Sequence, residues 1–126
     1  MKEQLVSRIA VIILAIVLIV FGFYHFTQPR VMLQFVPNFL PGGRVWVYIV
    51  GCAFILSGIA FILHKWVKLA GYLLALLLVC FVLLIHLPNY LHSGDINEQK
   101  DTLMNLLKDS AIAAFALYIA ANAQKI

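Results

Sequence analysis

The residues able to do chemistry in this chain are few, and most of them sit at the ends of long apolar runs. His25 lies at the end of an uncharged run from Ile9 to Phe26, His86 lies near the end of another from Leu69 to Leu87, and Lys108 and Asp109 stand in the first turn of a third that starts at Leu106. A histidine beside an aspartate can move a proton near neutral pH. Ionisable groups in apolar spans are costly, so they face a protein interior or water. His25, His86, Lys108 and Asp109 are therefore expected to point inward around one pocket. Asn89, three residues after His86, and Arg44 would add polar contacts, with Pro29, Pro37, Asn38 and Pro41 in the adjoining segments. A plainer reading stands beside this one. A boundary histidine caps a helix or meets lipid headgroups, Lys108 snorkels to the interface, and Asp109 favours a helix N-terminus through the dipole. His64 and His92 read as solvated loop residues.

Other chemistries find less support. The two cysteines, Cys52 and Cys80, are far apart in sequence and each lies inside an apolar run. No CxxC, CxxCH or zinc spacing is present, and His25 with His86 lacks a third metal ligand. Cysteines in such settings are usually inert packing groups, although similar depths in their spans leave a thiol pair open. No haem, flavin or iron–sulfur motif is visible, so a self-contained redox enzyme is not expected.

The elements that must hold these groups follow from composition. Hydrophobic residues make up 64% of the 126 and charged residues 11%, and the mean hydropathy is +1.02. A soluble globule this small needs a large polar shell, which 11% charge does not supply. Composition therefore excludes a soluble enzyme domain, a disordered tail and a nucleic-acid module, despite a net charge of +4. Four runs are long enough to cross a hydrocarbon layer of about 30 Å: 9–26, 45–63, 69–87 and, weakest, the alanine-rich 106–123. The first three are apolar all round, as a helix surrounded by lipid requires. The expected fold is all-α, a single membrane domain over 1–126 built as an up-down-up-down four-helix bundle. The basic start before Ile9 and the length of the first run read as an uncleaved signal anchor.

Connections refine the picture. His64-Lys65-Trp66-Val67-Lys68 is a short hairpin between runs two and three, which makes them antiparallel neighbours. Residues 27–44 hold Pro29, Pro37 and Pro41 and are too apolar for a solvated loop, so a short interfacial or re-entrant segment is expected. Pro29 would open a short helix and Pro37 would stop it. The stretch from Pro88 to Asn105 reads as a second long loop, with Pro88 starting the exit turn. With the N-terminus inside, Lys2, Arg8, Lys65, Lys68 and Lys125 lie on the inner side and Arg30, Arg44, Lys100 and Lys108 on the outer. That bias and the basic hairpin place both termini in the cytoplasm. Gly22 shares a face with His25, and Gly51 and Gly58 share a face of run two, where small residues let helices approach closely. Ala113, Ala116 and Ala120 suggest the same on run four.

The order Phe21-Gly22-Phe23-Tyr24-His25-Phe26, then Pro29, Val36-Pro37-Asn38-Phe39-Leu40-Pro41, Gly51, Ile85-His86-Leu87-Pro88-Asn89 and Leu107-Lys108-Asp109 resembles the DoxX-like family of small four-span membrane proteins. The resemblance covers nearly the whole chain. It implies a small membrane protein associated with redox or thiol-stress complexes and brings no agreed catalytic residue set; the membrane expected is the bacterial cytoplasmic one.

Three functions compete at this level. The first is a non-catalytic accessory or assembly partner of a membrane complex, with a membrane or soluble redox protein as partner. The second is a binder of a quinone or other lipophilic molecule in an outward-facing pocket, as part of a quinone-linked oxidoreductase. The third is a transporter or channel, for which four spans without a repeat are few unless the chain forms a homo-oligomer.

Overall fold

The computed structural model describes residues 2–33, 36 and 41–125, with the side chain of Met32 not described. In chain order the helices are α1 (Lys2–Thr27), α2 (Pro29–Leu33), α3 (Gly43–Leu63), α4 (Val67–Phe81), α5 (Leu87–His92) and α6 (Ile96–Ala121), with a π-helical turn over Val82–His86 between α4 and α5. Among the described residues there is no strand. Four helical stretches are long and apolar enough to cross a membrane: Lys2–Thr27, Gly43–Leu63, Val67–His92 and Ile96–Ala121. The protein is an all-α four-helix bundle and an integral membrane protein.

Its outer surface explains why it needs lipid. Ile13, Ile16, Val20, Phe23, Leu56, Leu73, Leu76, Leu83 and Leu84 are all exposed on the flanks of the bundle. A contiguous apolar exterior of this kind is unstable in water. The core is narrower. It runs through Leu14, Ala15 and Leu18 of α1, Phe54 and Phe61 of α3, Leu74, Ala75 and Leu78 of α4, and Ala113, Ala116 and Ile119 of α6.

The bundle consists of two helix pairs laid side by side, α1 against α3 and α4 against α6, joined by the less extensive contact of α3 with α4. Small residues set both close pairings. A Cβ on Gly22 would stand 2.7 Å from the carbonyl oxygen of Gly51, and one on Gly58 would stand 2.7 Å from that of Ala15. Gly51 faces the Cβ of His25 in the same way. In the other pair, Gly71 is the contact that sequence spacing alone did not single out: its face lies against Ala116 and Ala120. With little hydrophobic gain from helix association in lipid, such backbone approach provides the packing.

The boundaries differ from the sequence expectation in three places. Helix α1 starts at Lys2, because a helix continues past the hydrocarbon edge with polar side chains as long as its backbone bonds are satisfied. Pro88 does not end the third span. The connection expected from Pro88 to Asn105 shrinks to Ser93-Gly94-Asp95, since α5 carries the chain on to His92 and α6 begins at Ile96. Asp95 caps α6, its carboxylate accepting the backbone N–H of Asn97 at 3.2 Å, with Glu98 in the first turn. Gln99 donates to the Tyr90 carbonyl at 3.2 Å and ties the two helices across the turn. In the segment after α1, Pro29 stands at the first position of α2, which ends at Leu33; Pro37 and Asn38 lie outside the described residues.

The opposite end carries the tight hairpin. His64 and Trp66 both adopt left-handed backbone conformations, with φ of 55° and 59°. The Lys65 N–H bonds to the Ala60 carbonyl at 3.0 Å, closing the end of α3.

Candidate functional site

The polar groups of the bundle interior converge where α1 and α3 meet α4 and α6. His86 and Asp109 are each 7% exposed, and His86 Nε2 stands 2.8 Å from Asp109 Oδ2. The imidazole donates and the carboxylate accepts. Asp109 Oδ1 lies 3.8 Å from Lys108 Nζ, an ion-pair separation rather than a hydrogen bond. Lys108 also sits over the Phe21 ring, with Nζ 4.9 Å from the centroid. The ammonium is thus held between an aromatic face on α1 and a carboxylate on its own helix.

The π-turn is what brings His86 to this contact. Helix α4 buries Leu74 and Leu78. At about 100° per residue, an unbroken α-helix would leave His86 about 80° around the axis from Leu78, and Ile85 would occupy the buried face. The π-turn inserts one extra residue, which shifts the phase back by about 100° and turns His86 onto the Leu78 face. The N–H of Leu87 accordingly bonds to the carbonyl of Val82, five residues earlier. Pro88 fits this geometry: it has no N–H to give, and in an α-helix its ring would collide with the Leu84 carbonyl.

His25 approaches from α1. Its Nδ1 is 2.7 Å from the Phe21 carbonyl oxygen. Its ring meets Phe54 edge-on at 5.4 Å between centroids, and Phe54 meets Phe81 edge-on at 6.3 Å. This aromatic row crosses from α1 through α3 to α4. Trp46, near the start of α3, donates its Nε1–H to the Pro41 carbonyl at 2.8 Å, while Gly42, with φ of 73°, makes the turn into the helix.

These elements line a half-open cavity of about 420 Å³, within the range of small-molecule sites. Its walls are mainly Leu18, Phe21, Val50, Phe54, Leu77, Phe81 and Ile112, and the polar groups are His25, His86, Asn105, Lys108 and Asp109. Four of the residues singled out from sequence, His25, His86, Lys108 and Asp109, therefore line one space. Arg44 and Asn89 do not; both are exposed and lie off the cavity wall, as do Pro29 and Pro41. The π-turn accounts for Asn89: the phase that buries His86 leaves it outside. Asn105 lines the cavity with Lys108, Asp109 and Ile112 on one face of α6. Its signal was the four-residue spacing to Asp109, hidden by reading 88–105 as a loop. Cys80 also lines the cavity, and Cys52 is exposed on α3; both thiols are free. Among the described residues no cluster of His, Cys, Asp and Glu is suited to hold a metal ion.

Fold and cavity together define a four-helix integral membrane protein with a ligand-sized apolar space and one buried imidazole–carboxylate pair. The chain belongs to the family described as Domain of unknown function (DUF8561), whose model matches residues 14–93. That match takes in His25 and His86 and stops short of α6. No curated protein and no solved structure matches the chain.

Proposed function

We propose that this protein binds a lipophilic small molecule with a polar head, of quinone size, in the cavity between its two helix pairs, and that it does so as an accessory subunit of a membrane redox complex. The observation that carries the reading is the cavity itself: about 420 Å³ of mainly apolar wall with the buried His86–Asp109 pair on it. Burying a carboxylate is costly even when it is hydrogen-bonded, so the place of this pair on a cavity wall favours use over packing. Sites for such ligands take this form, an apolar envelope with a few placed polar groups. The DoxX-like resemblance points the same way and supplies the redox setting. Electrons for a bound quinone would come from a partner protein, which is why the accessory role and the ligand belong to one proposal. We take the membrane to be the bacterial cytoplasmic one with both termini inside, a reading supported by Lys65 and Lys68 in the tight hairpin.

Trp46 lines the cavity and Trp66 stands exposed at the opposite end, which gives a direct assay. In a Trp66→Phe background reconstituted in nanodiscs, a short-tail quinone should quench Trp46 emission saturably. Val50→Phe, which fills the cavity, should abolish the saturable phase. Quenching that rises linearly with quinone in the membrane, and equally in both proteins, would overturn the proposal.

A further inference from the structure

The hydrogen-bonding pattern around the cavity specifies more than its shape does. The Phe21 carbonyl only accepts, so the His25 nitrogen 2.7 Å from it must be the one that carries hydrogen. Nδ1–H is thereby committed within α1. The neutral ring is left with Nε2, which then holds a lone pair and no hydrogen. On the facing wall, Asp109 is an acceptor at both oxygens. Oδ2 is engaged by His86, while Oδ1, 3.8 Å from Lys108, keeps acceptor capacity. The indole N–H of Trp46, a donor on the α3 wall, is already given to Pro41. Of the other donors on the wall, the Lys108 ammonium and the Asn105 amide stand together on one face of α6, where Lys108 is half exposed, and the free Cys80 thiol on α4 donates only weakly. The interior therefore offers acceptors from two sides, α1 and α6.

The geometry points to a ligand whose head is a hydrogen-bond donor: an aromatic or alicyclic hydroxyl, delivered between His25 Nε2 and the Asp109 carboxylate. A quinone-type molecule would then be held in its reduced, hydroxyl-bearing form in preference to the carbonyl form. A carbonyl head would place its lone pairs against those of His25 and Asp109, and desolvated acceptors facing each other lose the bonds they made to water. This inference rests on the lipophilic-ligand reading and adds the polarity of the head group to it.

Three aromatic probes of nearly equal size separate the cases: 2-naphthol, its methyl ether 2-methoxynaphthalene, and 1,4-naphthoquinone. Calorimetric titration of the full chain in nanodiscs, with empty nanodiscs subtracted, should show 2-naphthol binding about tenfold or more tightly than either of the others, as expected for one hydrogen bond to a charged or strongly basic acceptor. Asp109→Asn exchanges an acceptor for an amide with little change of shape, and it should narrow that preference and improve naphthoquinone binding. His25→Phe should also narrow it, while a thermal melt reports whether each variant folds. Equal affinity for the hydroxyl and its methyl ether, or a preference for the quinone, would overturn the donor-head inference and leave the ligand cavity standing. No binding of any probe above the empty-nanodisc background would overturn the cavity reading itself.

Discussion

Asp109 is the residue on which the interior chemistry turns. Its carboxylate is buried, accepts from His86 and stands beside Lys108. Removing the partner of a buried carboxylate leaves that group uncompensated, at a cost of about 3–5 kcal/mol, whereas replacing both partners with apolar groups is often close to neutral. His86→Leu alone is therefore expected to destabilise the bundle by about 3 kcal/mol, and His86→Leu with Asp109→Leu to recover most of that loss. Denaturant titration in mild detergent measures both, and a double variant no more stable than the single one would show that the pair is not coupled. His25, His86, Lys108 and Asp109 were visible in the sequence because charged and imidazole groups stand out against apolar runs. Arg44 drew attention as a charge and Asn89 by its three-residue spacing to His86; both are exposed, since neither residue type nor spacing alone fixes helical phase.

Phase belongs to the elements, and here the π-turn over Val82–His86 decides it. Pro88→Ala removes the ring that an α-register would bring against the Leu84 carbonyl. The third span is then expected to relax to a continuous α-helix, rotating His86 by about 100° away from Asp109. Ligand binding should fall, as it should in His86→Leu, which removes the same side chain from the cavity wall, while helix content by circular dichroism stays unchanged; undiminished binding in Pro88→Ala would remove Pro88 from the account. A proline near a span end ordinarily reads as an exit, so the continuation to His92 was not legible from residue type. The start of α6 was more accessible, because Asp95 followed three residues later by Glu98 is an N-terminal capping signature. At the other end, His64 holds a left-handed conformation that glycine adopts freely. His64→Gly should stabilise the fold by about 1 kcal/mol, read as a higher unfolding midpoint; a lower midpoint would mean that the His64 side chain contributes more than its backbone costs.

At the scale of the whole molecule, stability depends on close helix approach and on lipid outside. Gly22 and Gly51 face each other across α1 and α3, where a Cβ would meet the opposing backbone. Gly51→Leu is expected to wedge the pair apart and cost about 1–3 kcal/mol, with a lowered thermal midpoint as the readout; an unchanged midpoint would show that the pairing has slack. The four-span architecture was legible because composition constrains a membrane bundle so strongly: 64% hydrophobic residues with 11% charge leave few alternatives. The cavity was not legible, since an empty space between helices arises from side-chain packing that apolar runs do not encode. Photolabelling tests the cavity most directly. A short-tail quinone bearing a diazirine, irradiated with the reconstituted protein and mapped by peptide mass spectrometry, should mark Leu77, Phe81 and Ile112, and unlabelled quinone should compete that labelling away. Labels spread over the outer flanks at Leu73, Leu76 and Leu83, unaffected by competitor, would contradict a binding site between the helix pairs.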